Sequence, residues 1–285
     1  MRVVALCCVF AAALAYSDAD TKMMEDLFPG REGDWLRAQN ATETEKMLGI
    51  VHGRDTKEGE WEGTIMVIGS TGSCDDTGLC TGMFIHPQVV MSAGHCCRAG
   101  HVKAICGGKE RPGKKLAQSK FTFTNNAGAN DFCLLYLDAP VNNVPIYQVA
   151  ENVPIGDAVI VGYGVSNAGT PQLGAGTQRD GEVQITGASG VDIRVTGRPG
   201  QTYQNACNGD SGGPLFVEDD EGRSVVAGVT SRGSFFCPIG STSIYTSAVV
   251  GVNADAIRRQ TVLWEAPVVP GECPVRECCY SKTCK

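Results

Sequence analysis

Between residues 50 and 261 the chain alternates short apolar runs with breaks of Gly, Asn and Pro. Val89-Val90-Met91 and Phe132-Cys133-Leu134-Leu135-Tyr136-Leu137 are of this kind, and short β-rich runs bounded by turn residues predict strands. Ile50 to about Gln148 and about Val149 to Thr261 each carry several, which predicts two all-β units, barrels or sandwiches. The pattern changes only late. Asn253-Ala254-Asp255-Ala256-Ile257-Arg258-Arg259 predicts a helix with Asn253 as its N-cap and arginines later in it.

Three stretches lie outside these units. Residues 1–15 carry one arginine, an apolar run from Val3 to Leu14 and an Ala13-Leu14-Ala15 cleavage pattern, so they are expected to be a secretory signal, too short to span a membrane. No other segment is apolar enough to span one. Residues 16–49 are polar, mixed in charge and carry the sequon Asn40-Ala41-Thr42, and read as a propeptide. Residues 262–285 open with a Pro-containing linker and close with Cys273, Cys278, Cys279 and Cys284. So short a Cys-rich tail builds no apolar core and needs disulfides to hold it; a zinc site is the competing reading, in a tail without histidine.

Of the 14 cysteines, Cys7 and Cys8 fall in the signal, leaving an even number in an oxidising compartment, where disulfides are expected. The net charge of −7 argues against a nucleic-acid partner. A basic cluster from Arg98 to Lys120, with Lys109, Arg111, Lys114 and Lys115, reads as a solvated loop, with an exosite for acidic partners as the alternative.

Gly209-Asp210-Ser211-Gly212-Gly213-Pro214-Leu215 is the most specific segment for chemistry. Three glycines around one serine describe a turn whose main-chain N–H groups converge, an oxyanion hole built from the amides of Gly209 and Ser211, with Ser211 as nucleophile. A serine hydroxyl needs a base, and the base needs an orienting acid. Of four histidines, His52 lies near the start of the first β unit, His86 precedes Pro87 in a turn, and His101 sits in a Gly-rich basic loop. His95, delivered by an apolar run to a small-residue turn beside Cys96, is the candidate base. Asp131, at the mouth of a strongly apolar strand, is the candidate acid, because a carboxylate there needs a partner.

With His95, Asp131 and Ser211 in that order, the chain resembles the chymotrypsin/trypsin family of serine proteases from about Ile50 to Thr261. Ile50-Val51-His52-Gly53 is similar to the family's mature N-terminus, Gly162-Tyr163-Gly164 to its Gly-aromatic-Gly segment, and Ser231-Arg232-Gly233 to its substrate-backbone strand. The resemblance implies two six-stranded antiparallel β-barrels with the active site between them, a C-terminal helix, and then the tail. It implies the bridges Cys80–Cys96 and Cys207–Cys237. Cys74, Cys97, Cys106 and Cys133 are ambiguous; if the triad assembles, Cys97 and Cys133 come close, which favours that pair and leaves Cys74 with Cys106.

The same resemblance makes Asp210 the partner of the Ile50 amino group in a processed enzyme, lets Ser231 support Asp131, and implies no cofactor. Where some relatives carry an acidic calcium loop this chain is basic, so no metal is expected there. Asn205 stands where relatives that cut after Arg or Lys hold an Asp, Ser243 where many keep a glycine in the pocket wall, and Arg232 in place of a Trp. These departures point to neutral, small to medium or polar residues before the scissile bond. The expectation is a secreted, monomeric endopeptidase made as a zymogen, with peptide or protein substrates and possible protein inhibitors. A catalytically silent protease-like binding or inhibitor protein and a non-peptidase serine hydrolase are the alternatives.

Overall fold

The computed structural model describes residues 49–76, 78–97, 101–107, 114–125, 129–165, 174–199, 203–233, 237–238 and 240–265. The expected signal, almost all of the expected propeptide, the tail cysteines and much of the basic cluster therefore lie outside the described residues.

The first barrel is made of β2 (Thr64–Ile68), β3 (Leu79–His86), β4 (Val89–Ser92), β5 (Ala104–Cys106), β6 (Lys115–Asn125) and β7 (Phe132–Leu137), closed in the order β2-β3-β4-β7-β6-β5. All its pairings are antiparallel. β2, β4 and β7 are buried along their whole length, so their apolar runs continue through both faces instead of alternating. One face fills the barrel with Ile65, Val67, Phe84, Val90 and Leu135. The other meets the second barrel.

That barrel comprises β8 (Gly156–Gly162), β9 (Arg179–Ser189), β10 (Asp192–Gly197), β11 (Pro214–Glu218), β12 (Ser224–Arg232) and β13 (Ser243–Ser247). β8 pairs with both β9 and β11, which closes it. Its interior holds Ile160, Val183, Ile193, Leu215 and Tyr245. Met83, Phe132, Val161, Phe216 and Ile257 form a shared core between the barrels, burying side chains that isolated barrels would expose. The expected pair of six-stranded antiparallel barrels is the observed architecture, and the site lies on loops at their junction.

Helix α1 spans Gly251–Glu265, starting two residues before the position the sequence suggested. Asn253 is inside the helix and fully buried, so the expected N-cap role is corrected. Its amide donates to the Ser247 carbonyl at 2.8 Å and exchanges two hydrogen bonds with Asn130, at 2.9 and 3.0 Å. A buried amide needs partners, and the reciprocal pair supplies them better than a cap would.

The chain enters the second barrel at Gly49–His52, a tight turn in which Ile50 has φ 36° and ψ 100°. Ile50 is 1% exposed, packed in the second-barrel core, and Val51 bridges to Asn205. The two-residue strand β1 (Arg54–Asp55) then lies along the start of β9.

Candidate active site

His95 sits on a single 3-10 turn, Gly94–Cys96, at the end of β4, and Asp131 precedes β7, the neighbour of β4. The adjacency brings the two together. His95 Nδ1 is 2.7 Å from Asp131 Oδ2, and the His95 backbone N–H donates to Asp131 Oδ1 at 2.7 Å. Ser231, at the end of β12, donates its hydroxyl to Asp131 Oδ2 at 2.8 Å, joining the second barrel to the acid. Burial pushes the Asp131 carboxyl up, but the hydrogen bond and charge of His95, with the Ser231 hydroxyl and the His95 amide, outweigh it and hold the carboxyl below its ordinary range. Asp131 is thus built to stay ionised beside the ring, and the contact at Nδ1 leaves Nε2 as the other ring nitrogen.

Ser211 lies on the turn before β11, held by the first barrel. Thr81 of β3 donates its N–H to the Ser211 carbonyl at 2.8 Å and its hydroxyl to the Gly209 carbonyl at 2.9 Å. Gly212, at φ 81°, passes so close to β3 and β4 that an added Cβ would lie 2.5 Å from the Thr81 carbonyl and 2.7 Å from the Ala93 nitrogen. No other residue fits there. Among the described residues neither the Gly209 nor the Ser211 N–H has a protein acceptor, as an oxyanion site requires. Nor does a hydrogen bond join Ser211 to His95; in free enzymes this contact is often long and tightens with substrate.

Asp210, between Gly209 and Ser211, is buried, and its carboxyl turns to the backbone of Gly164 and Cys207. Its Oδ1 accepts the Gly164 N–H and its Oδ2 the Cys207 N–H, both at 2.8 Å. Gly162 and Gly164 both lie against its carboxylate where a side chain would collide. Burial pushes the Asp210 carboxyl up to about 7, more than the two amides and the nearby Arg179 charge offset. Among the described residues no cation pairs with this carboxyl, and a buried carboxyl held by two amides alone is stabilised in its charged form by any positive charge brought beside it.

Asn205, expected at the pocket floor, is buried, with a 2.5 Å hydrogen bond from its Nδ2 to Ser241 Oγ and another from Ser243 Oγ to its Oδ1. The floor is neutral and internally satisfied. Gly233 is exposed beside it, where an added Cβ would be 3.4 Å from Ser243 Oγ. The Arg232 charge is paired: its Nη2 is 2.5 Å from Asp192 Oδ2 on β10, and its Nη1 reaches the Ala129 carbonyl at 3.4 Å.

The described residues hold four disulfides, Cys74–Cys106, Cys80–Cys96, Cys97–Cys133 and Cys207–Cys237. Cys80, Cys96 and His95 could hold a metal by position, but both sulfurs are consumed in the disulfide and offer no thiolate. Thr81, Asn130 and Ser241 belong to the site's support and were not singled out in sequence, and Asn253 was noted there only as a helix cap. Only the small polar character of Thr81 beside Cys80 and of Asn130 beside Asp131 hinted at them.

The geometry agrees with the comparisons. The chain is 29% identical over 184 residues to snake venom serine proteinase 14 of Crotalus adamanteus, covering 57% of this chain and 70% of the relative. It is 24% identical over 198 residues to human kallikrein-4, covering 59% and 72%. In fold it is similar to mouse neuropsin, a serine protease expressed in the limbic system of the brain, with a TM-score of 0.58, 21% identity, and 74% of this chain and 99% of that one covered. The family model for trypsin matches residues 50–252, and the chain belongs to the trypsin family.

Proposed function

We propose that this protein is a secreted serine endopeptidase, made as a zymogen and working through an acyl-enzyme. The 2.7 Å contact of His95 Nδ1 with Asp131, reinforced by Ser231, is the observation that supports the reading most. Held in that tautomer, the ring takes the Ser211 proton at Nε2 as the hydroxyl attacks the peptide carbonyl, and returns it to the leaving amine. Asp131 stabilises the imidazolium, the Gly209 and Ser211 amides receive the oxyanion, and water then hydrolyses the ester with His95 as base.

The pocket floor sets the preference. An Arg or Lys side chain would meet the Asn205 amide and two hydroxyls but no carboxylate, and an uncompensated buried charge costs several kcal/mol. A small or polar neutral residue fits better. Activation supplies the missing cation: a cut at Gly49–Ile50 frees an ammonium for Asp210, which orders the turn carrying Ser211. Gly49 is not a site for a trypsin-like activator, so the activator accepts small neutral residues, a class that includes this enzyme, or a first cut after Lys46 is followed by trimming.

Labelling with a serine-directed fluorophosphonate tests the reading. The processed protein should label and cleave peptides with small neutral residues before the scissile bond, while Ser211→Ala should do neither and lose several orders of magnitude in kcat. Full activity in Ser211→Ala would overturn the assignment of Ser211 as nucleophile, and a processed wild type that neither labels nor cleaves would point to the catalytically silent binding protein instead.

A further inference from the structure

The segment that follows Ile50 is held to the second barrel by charge. In β1, Arg54 stands opposite Asp180 and Asp55 opposite Arg179, so the two cross-strand pairs are opposite in sign and reversed in order. Arg54 Nη2 lies 2.5 Å from Asp180 Oδ2, and Arg179 Nε 2.7 Å from Asp55 Oδ1. Trp61 Nε1 donates to the same Asp180 oxygen at 2.9 Å, Glu60 takes the other side of Arg54 at 2.9 Å, and Arg179 Nη1 donates to the Gly174 carbonyl at 2.8 Å. The barrel's partners are nearly buried, with side-chain exposures of 11% for Asp180 and 7% for Arg179, whereas Arg54 and Asp55 are about half exposed. Fixed inner charges thus face outer charges carried by a strand of only two residues.

We propose that Arg54, Asp55, Arg179 and Asp180 are positioning residues for activation: the crossed pairs keep the chain on β9 after the cut, so that the amino group released at Ile50 is delivered to the Asp210 socket. This rests on the reading above, of a protease activated at Gly49–Ile50. A free terminus that must order itself to dock loses backbone entropy at each residue, and an anchor at Arg54 limits that loss to Ile50–Gly53. The outer members are exposed enough for salt to screen them, while the Asp210 socket is buried and screened much less.

The test uses the processed protein as wild type, Arg54→Met, Arg54→Lys and Asp55→Asn, all replacements of half-exposed side chains. The readout is the alkaline limb of kcat/KM. Docking requires the protonated amine, whose unperturbed pKa is about 8; pairing raises it, so activity is present below the docked value and lost as pH rises through it. Each tenfold weakening of docking lowers the limb by about one pH unit until it reaches the free amine. Arg54→Met and Asp55→Asn should lower it by about half to one unit, ~0.5 M salt should lower the wild-type limb in the same direction, and Arg54→Lys should restore most of the shift. A merely structural role would reduce the folded fraction without moving the limb. An active enzyme whose limb is unmoved by both neutralising variants and by salt overturns the clamp and leaves the protease reading standing; a processed protein that neither labels nor cleaves overturns both.

Discussion

Replacing Asp210 with Asn in the uncut chain, in a Ser211→Ala background that prevents self-cleavage, isolates the pH response of one buried carboxyl. In the folded uncut chain this group holds its proton until about pH 7; in the unfolded chain it loses it near pH 3.9. Between those values folding takes up a proton, so stability is full below the unfolded value and falls as pH rises through the folded one. Three pH units at about 1.4 kcal/mol each set an upper bound of about 4 kcal/mol. The amide of the Asp210→Asn variant cannot titrate. It bears instead a roughly constant cost of about 1–3 kcal/mol, because its NH₂ meets the Gly164 or the Cys207 N–H, donor against donor. Urea unfolding at several pH values from 4 to 8 would give both curves, and Asp131, depressed in both proteins, cancels in their difference. The protein that keeps Asp210 should lose about 2–4 kcal/mol relative to the Asp210→Asn variant across that range. In a processed protein with this carboxyl paired to the Ile50 ammonium, the pairing holds the carboxyl ionised and the decline between pH 4 and 7 should disappear. Parallel curves for the two uncut proteins would refute the argument that the carboxyl lacks a cation before the cut.

Other consequences concern the pocket, the amide pair and one bridge. Asn205→Asp should raise cleavage after Arg and Lys by an order of magnitude or more relative to Ala, measured as a ratio of kcat/KM values, because the floor would gain a carboxylate; a wild type that already prefers Arg would contradict the reading of the floor. Asn253→Ala leaves the Asn130 amide unpaired next to Asp131, and should destabilise the fold by about 1–3 kcal/mol in urea unfolding and lower kcat more than it raises KM. Removing Cys74–Cys106, which closes a loop with a sequence separation of 32, by substitution of both residues with Ala should cost about 3–4 kcal/mol on the chain-entropy account, seen as a lower unfolding midpoint.

How much of this was legible in the chain depended on the range of each interaction. The strands of the first barrel could be read because β7 is apolar throughout and β4 is apolar up to Ser92, and His95 and Asp131 drew notice because each is a polar residue close to the end of such a run. Partners remote in sequence could not be read. Asn253 looked like a cap because a polar residue ahead of a helical pattern is one locally; Asn130, more than a hundred residues earlier, claims its amide instead. Likewise nothing in the segment of Arg232 announces its partner Asp192, forty residues earlier. The opposite signs of Arg54-Asp55 and Arg179-Asp180 are visible in sequence, but only the antiparallel register of β1 on β9 turns them into pairs.

The turn at Gly49–His52 bears on the direction of the activating cut proposed above. Ile50 is β-branched and held at φ 36°, a conformation such residues avoid at a cost of about 1–3 kcal/mol. That torsion is defined by the carbonyl carbon of Gly49. Hydrolysis of the Gly49–Ile50 bond does not relax the angle; it abolishes it, because the atom that closed the dihedral departs with the preceding segment. The isoleucine can keep its side chain in the core while the steric conflict disappears. The uncut chain is therefore loaded at the bond to be cut, and a processed terminus that swings out of its socket cannot regain the constraint on returning, which makes processing a one-way step in the geometry of a single residue.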